Sequence, residues 1–299
     1  MRTSAKVGSF GAGLTLMFGA AFGVGSAAGP IGGDEEPAHA DGHGDREPEP
    51  RAPAAPGGLQ ISERGYTLAV PDRPLTAGRE TELRLSILGP DGSPLTRYQR
   101  THERELHLIL VRRDLSGYQH LHPERAADGT WSVPLTVEEA GAYRLFADFS
   151  PAGDEDGPLT LGADLAVAGP HEPAPLPEPA TTATVHGYTV TLEGGLAAGG
   201  DSELTLNVSR DGRPVTDLEP HLGAYGHLVA LRAGDLGYLH VHPQGEPGDG
   251  TTAPGPGITF HAAVPGGGTY RLYLDFRHEG AVHTAEFTVA TSGAGGHGH

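Results

Sequence analysis

An all-β chain of two sandwiches in tandem is what the sequence predicts, and three observations predict it. First, the 299 residues include 47 Gly and 26 Pro but only 6% aromatics, a composition that disfavours long helices and large cores. Second, apolar and polar residues alternate in short runs such as Leu83-Arg84-Leu85-Ser86-Ile87 and Leu204-Thr205-Leu206-Asn207-Val208, with Asp-Gly, Gly-Pro and Gly-Gly between them. Third, the chain repeats itself. Gly65-Tyr66-Thr67-Leu68 returns as Gly187-Tyr188-Thr189-Val190, and Asp91-Gly92-Ser93-Pro94 as Asp211-Gly212-Arg213-Pro214. Further on, Gly117-Tyr118-Gln119-His120-Leu121-His122-Pro123 returns as Gly237-Tyr238-Leu239-His240-Val241-His242-Pro243, and Tyr143-Arg144-Leu145-Phe146-Ala147-Asp148-Phe149 as Tyr270-Arg271-Leu272-Tyr273-Leu274-Asp275-Phe276. Blocks kept in order over about a hundred residues mark an internal duplication. Roughly six to eight short strands per copy suit an immunoglobulin-like sandwich, with a Greek-key barrel as the second architecture.

Taken in order, the chain opens with Arg2 and Lys6 ahead of a glycine-broken apolar run at 7–25, followed by the small residues Ser26-Ala27-Ala28-Gly29. This pattern predicts a signal peptide over 1–28, with an uncleaved membrane anchor as the alternative; both place the remainder outside the cytoplasm, extracellular or at the cell surface. Residues 29–59 are acidic and rich in Pro and Ala, with no hydrophobic period, and are expected to be disordered. The first sandwich is expected over 60–169 and the second over 181–290. Between them, 170–180 carries Pro170, Pro173, Pro175, Pro177 and Pro179, which predicts an extended spacer that keeps the two domains independent. A Gly/His tail follows at 291–299.

Charge and cysteine content remove several function classes. Against 38 acidic residues stand 20 basic ones, and the net charge of -18 repels nucleic acid and anionic headgroups. No nucleic-acid partner is expected, and membrane contact only if the N-terminal segment is retained. With no Cys, disulfides, zinc-thiolate sites and thiol nucleophiles are excluded. Seventeen histidines remain as the unusual resource.

A His-x-His pair on a strand sends both imidazoles to one face. His120 and His122 form such a pair, as do His240 and His242. Upstream, 106–111 reads as a strand, and 112–117 is short enough to be its hairpin turn. Pairing Val111 with Tyr118 sets Ile109 opposite His120 and His107 opposite His122. In the second copy the same register sets Leu231 opposite Tyr238, Val229 opposite His240 and His227 opposite His242. The predicted metal sites are therefore His107, His120, His122 and His227, His240, His242, with directly opposed Cβ atoms ~5 Å apart, within reach of a shared cation. A register slip of one residue would turn His107 to the other face.

Soft sulfur ligands are absent from the mature chain, because the two methionines, Met1 and Met17, lie in the signal region. Neutral imidazoles suit Cu(II), Zn(II) or Ni(II), and Cu(II) or Zn(II) is the expected cofactor; no organic cofactor is expected. Asp148 and Asp275 are possible carboxylate ligands, and His102 and His221, at nearly matching positions before the hairpins, are further candidates. The competing interpretation is a strand end whose imidazoles are satisfied by main-chain carbonyls or water, with Pro123 and Pro243 ending the ladders. Histidines 43, 297 and 299 fall in segments expected to be solvated, while His261, His278 and His283 read as ordinary surface residues. Trp131, Val133 and Phe260 read as core, and Tyr143 and Tyr270 as the buried corner tyrosines of an immunoglobulin-like sandwich. There is no phosphate-cradling glycine motif before a helix, no Gly-x-Ser-x-Gly elbow and no acid–base pair that can be nominated, so the chain is not expected to be an enzyme.

The string Asp-Leu-x-x-Tyr-x-His-x-His-Pro, then Asp128-Gly129-Thr130-Trp131 and Gly141-x-Tyr143-Arg144-Leu145-Phe146-x-Asp148-Phe149, resembles a family of secreted bacterial Ig-like modules, over both copies. More distantly, the layout is similar to periplasmic Ig-like copper-resistance proteins, and that likeness implies Cu(II) binding through His and Asp. The expected function is a secreted, non-enzymatic binder or buffer of a divalent metal ion. The alternative is a cell-surface interaction module with structural histidines and a protein partner. A copper- or zinc-dependent hydrolase or oxidase is the third reading.

Overall fold

A computed structural model describes residues 56–239 and 241–292. The signal segment at 1–28, the acidic linker up to residue 55, His240 and the tail from 293 lie outside the described residues. The described residues belong to one compact unit.

The first domain comprises β1 (Ser62–Glu63), β2 (Tyr66–Ala69), β3 (Leu75–Thr76), β4 (Thr81–Leu88), β5 (Tyr98–Gln99), β6 (Leu106–Arg112), β7 (Gln119–Leu121), β8 (Glu124–Arg125), β9 (Thr130–Leu135), β10 (Gly141–Pro151) and β11 (Leu159–Ala168). One sheet runs β1-β2-β4-β9-β8 and the other β3-β11-β10-β6-β7, with β5 on β10. The second domain comprises β12 (Thr182–Val185), β13 (Tyr188–Gly194), β14 (Gly200–Arg210), β15 (Arg213–Pro214), β16 (Gly226–Arg232), β17 (Tyr238–Leu239), β18 (Val241–Pro243), β19 (Gly257–Val264), β20 (Thr269–His278) and β21 (Ala281–Ala290). Its sheets run β12-β13-β14-β19-β18, with β15 on β14, and β17-β16-β20-β21. These are two immunoglobulin-like sandwiches in tandem.

Alternation builds each core. Leu83, Leu85 and Ile87 of β4 and Leu204, Leu206 and Val208 of β14 are buried, beside Trp131, Val133 and Phe260 on the neighbouring strands. At the corners, the Tyr143 hydroxyl donates to Glu139 O at 2.9 Å and that of Tyr270 to Gly266 O at 2.7 Å, so each buried phenol has a partner.

Strands β6 and β16 behave differently, because nearly every residue in them is buried. Leu106, Leu108 and Leu110 enter the first core, while Ile109 and Val111 point the other way. Those two residues, with Leu115 and Phe146, form a third core against Val229, Leu231, Leu236 and Tyr273 of the second domain. Each member has its counterpart in the other copy, so the interface is reciprocal, of the kind a two-fold axis produces. Tyr118 stacks on Tyr273 at 4.1 Å between centroids, and the equivalent pair, Tyr238 and Phe146, lies at 5.6 Å. The Tyr273 hydroxyl also donates to Leu115 O at 2.6 Å.

The expected independence of the domains is therefore wrong: their second sheets are apolar on both faces and bury the outer ones against each other. The spacer is held as well, since the Ala174 amide donates to Asp114 Oδ2 at 2.8 Å and His171 donates from Nδ1 to Ala140 O at 3.0 Å. Disorder expected up to residue 59 also fails at its end. Gly58 N donates to Thr160 O, Tyr238 N donates to Gly57 O, and the Arg144 guanidinium donates twice to Gly58 O. Gly58 has a φ of 73°, and a Cβ there would stand 2.4 Å from the Phe146 ring, so the turn requires glycine.

The shared core makes a cross-domain prediction. Tyr273→Ala, in the second domain, is expected to cost about 3–5 kcal/mol, the range for truncating a buried aromatic. Trp131, the only tryptophan, lies in the first domain. Its fluorescence in urea should report a lowered midpoint for the variant, whereas independent domains would leave that midpoint unchanged.

Candidate metal centre

The turn between β6 and β7 fixes the histidine register. Asp114 Oδ1 accepts from the Ser116 amide at 3.1 Å, the Ser116 hydroxyl at 2.7 Å and the Arg112 Nε at 2.9 Å, while Leu115 sits buried with a φ of 67°. Arg232, Asp235 and Leu236 repeat the device in the second copy. Strand pairing then places Ile109 opposite His120 and Leu108 opposite Leu121, and in the second copy Leu231 opposite Tyr238.

In the first domain, His107, His120 and His122 come together, with one ring nitrogen from each lying within 4.8 Å of the others. His107 Nδ1 and His120 Nε2 are 3.2 Å apart. The outer nitrogens decide what stands between them. His107 Nε2 lies 3.0 Å from Thr101 O, a pure acceptor, so it carries the proton. His120 Nδ1 lies 2.9 Å from Asp275 Oδ2 and donates likewise. In neutral imidazoles both facing nitrogens are then lone pairs, and lone pairs at this distance call for one positive charge between them: a proton or a metal ion. His122 Nε2 is buried without a partner. One nitrogen from each of the three rings thus converges, and the orientations of His107 and His120 are set by a carbonyl of one domain and a carboxylate of the other.

Burial favours the neutral form of His107 and His122. Desolvation, with the neighbouring His120, lowers His107 to about 4 and His122 to about 2. His227 is lowered to about 3, again mainly by burial.

The second set is arranged otherwise. His227 mirrors His107, donating from Nε2 to His221 O at 2.9 Å. His242, however, is not opposite His227: it pairs with His261 on β19, in the other sheet. Val241 and Pro243 flank it on the inward face, opposite buried Ala262 and Phe260, so His242 faces away from the second domain's core. In the first copy the chain joins the other sheet only at Glu124, after both histidines have passed. His102 and His221 are not equivalents either. Thr101 and His221 are the matched carbonyl acceptors, and the His102 ring instead reaches the second domain, 5.2 Å from that of His227.

Of the two aspartates, Asp275 crosses the interface, and both are clamped by a threonine of the neighbouring strand. Asp275 serves His120 and takes the Thr284 hydroxyl on Oδ1 at 2.6 Å; Asp148 takes the Thr160 hydroxyl at 2.9 Å. Burial raises the carboxyl of Asp148. His278 and His283, expected at the surface, are buried: the Tyr188 hydroxyl lies 2.8 Å from His278 Nδ1, and His186 lies 3.1 Å from His283. Only their alternation on β20 and β21 against an apolar core signalled this, and it was masked by their polarity.

The architecture defines a double sandwich with a histidine cluster between its copies. Residues 61–157 and 183–293 match the family described as a domain of unknown function, DUF8832, and the chain belongs to that family. No curated protein matches it. Among solved structures it is similar to the Escherichia coli adhesin FdeC, with 18% identity and a TM-score of 0.26 over 78% of this chain and 65% of that one. It is also similar to the Yersinia pseudotuberculosis adhesin InvE, with 12% identity and a TM-score of 0.23 over 77% of this chain and 60% of that one. For a Salmonella alpha-2-macroglobulin the values are 15% and 0.25, over 82% and 15%. The chain thus spans less than two thirds of each of these proteins.

The neutral histidines set an acid limit. With ring pKa values lowered to about 4, 2 and 3, the folded chain binds fewer protons than the unfolded one, whose histidines titrate near ~6.5. The contribution of these groups is full above that value and is lost as pH falls toward their lowered values of about 4, 3 and 2. Asp148, shifted upward, opposes the trend, but His221 and His283, also lowered by burial, add to it. The urea midpoint of the metal-free chain should therefore be lower at pH 5 than at pH 7.5, and a midpoint unchanged across that interval would contradict the buried, neutral assignment.

Proposed function

We propose that the chain is an extracytoplasmic, non-enzymatic binder or buffer of a divalent transition metal, Cu(II) or Zn(II), held by His107, His120 and His122. The observation that carries this reading is the pair of facing imidazole nitrogens at 3.2 Å, each with its other nitrogen committed as a donor. Ligands ~2.0–2.1 Å from a tetrahedral metal stand ~3.3 Å from one another, so the pair already has the spacing of one coordination edge. His122, the third ligand, brings a buried nitrogen with no other partner. Asp275 on His120 supplies the carboxylate–histidine–metal arrangement that fixes the orientation of a ligand ring. Three nitrogen donors without sulfur suit Cu(II) and Zn(II).

Calorimetric titration of the mature chain should show tight binding of Cu(II) or Zn(II) that is lost in the His120→Ala, His122→Ala double variant. Binding no tighter than millimolar would favour the alternative, a surface interaction module whose histidines are structural. Because a proton competes for the same lone pairs, affinity should fall in acid, as pH drops toward the lowered value of about 4 at His107, with proton uptake on metal release.

Asp275→Asn offers a second check, since it touches no proposed ligand atom. It should weaken binding by about 10–100-fold from the opposite domain. Unchanged affinity would remove Asp275 from the site.

A further inference from the structure

The same cavity contains more imidazoles than one ion needs. His102, His107, His120, Asp148, His227 and His242 all line it, three residues from the first domain's hairpin region meeting two from the second and a carboxylate from β10. His227 is 7% exposed, and its Nε2 proton goes to His221 O, so the neutral ring carries its lone pair on Nδ1, as His107 does. Its ring lies 5.2 Å from that of His102, 6.2 Å from that of His107 and 6.1 Å from that of His120.

His102 reaches that position because Thr101 and Arg104 exchange main-chain hydrogen bonds at 2.8 and 3.1 Å. The two residues between them, His102 and Glu103, have φ of 50° and 63°, the geometry of a tight hairpin turn. The tip of this turn meets the equivalent turn of the second domain at Gly223. Asp148 pairs across strands with His107, spends Oδ1 on Thr160, and lies close enough to His102 and His242 to feel their charge.

We propose that the interdomain cavity takes a second divalent transition-metal ion beside the first, on His227 and His102 with the Asp148 carboxylate, so that the duplicated domains share one two-ion centre. This extends the reading of the His107, His120 and His122 site, and the tests below separate the two. Each ion has a carboxylate close by, Asp275 beside His120 for the first and Asp148 near His102 for the second, which offsets the repulsion between two dications. Among the described residues only the first set holds three ligand atoms within 4.8 Å. The second ion therefore waits for the His102 turn to close on it and binds more weakly.

Cu(II) titration of the full mature chain, followed by electron paramagnetic resonance, tests this. The first equivalent should give an isolated-ion spectrum. The second should bind more weakly and bring dipolar broadening with a half-field line, as expected for two Cu(II) ions in one cavity. His227→Gln should lose the second step and the coupling while keeping the first. His102→Asn, which suits the positive φ and leaves the buried core untouched, should do the same should the His227 variant fold poorly. Saturation at one Cu(II), or a second equivalent that is uncoupled and persists in both variants, would overturn the shared centre. Failure of the first reading looks different: no tight first equivalent at all, or one that survives His120→Ala with His122→Ala.

Discussion

Burial of two sheet faces against each other is the constraint on which the rest of the molecule depends. A sheet in an isolated sandwich keeps one face wet, but Ile109, Val111, Phe146, Val229, Leu231 and Tyr273 make the outer faces as apolar as the inner ones. Exposed, they would form the contiguous apolar patch that soluble domains avoid. Packed together, they exclude water from the histidines at the margin, and this desolvation is what lowers His107, His122 and His227. The electrostatics of the cluster thus follow from hydrophobic packing some residues away.

Much of this was legible in the sequence. Duplication announced itself in repeated blocks, alternation gave the strands, and the six-residue turn fixed the register that faces Ile109 with His120. What escaped was tertiary. His120 and Asp275 are separated by 155 residues, a contact no spacing rule can reach. The signal for it was nevertheless present: the unbroken run from Leu108 to Val111 is too apolar for a strand with one wet face, and such runs belong to strands covered on both sides. Proline content in the spacer suggested separation, but stiffness of a linker says nothing about whether the surfaces it joins are sticky. His242 was misplaced because the point at which a strand leaves one sheet for the other depends on which inward positions its flanking residues fill, and Val241 and Pro243 fill theirs early.

The copies also show how tolerance is distributed. Core positions exchange one apolar residue for another, as with Trp131 and Ile258, while the Asp–Arg turn locks, the corner tyrosines and the threonine-clamped aspartates persist in both. These conserve geometry within the molecule, since each sets a backbone angle or the direction of a buried polar group.

A reciprocal interface has a consequence for how such a chain can arise and diversify. Two free copies of a single module would meet through these same faces, as a symmetric homodimer, and every substitution would then appear twice. Joining them through 170–180 makes association intramolecular, so that docking no longer depends on protein concentration. It also releases the copies from identity. His102 in one turn and Leu222 in the other is a difference a homodimer could never encode, and it is asymmetry of this kind that lets one half of a duplicated surface specialise while the other half keeps it folded.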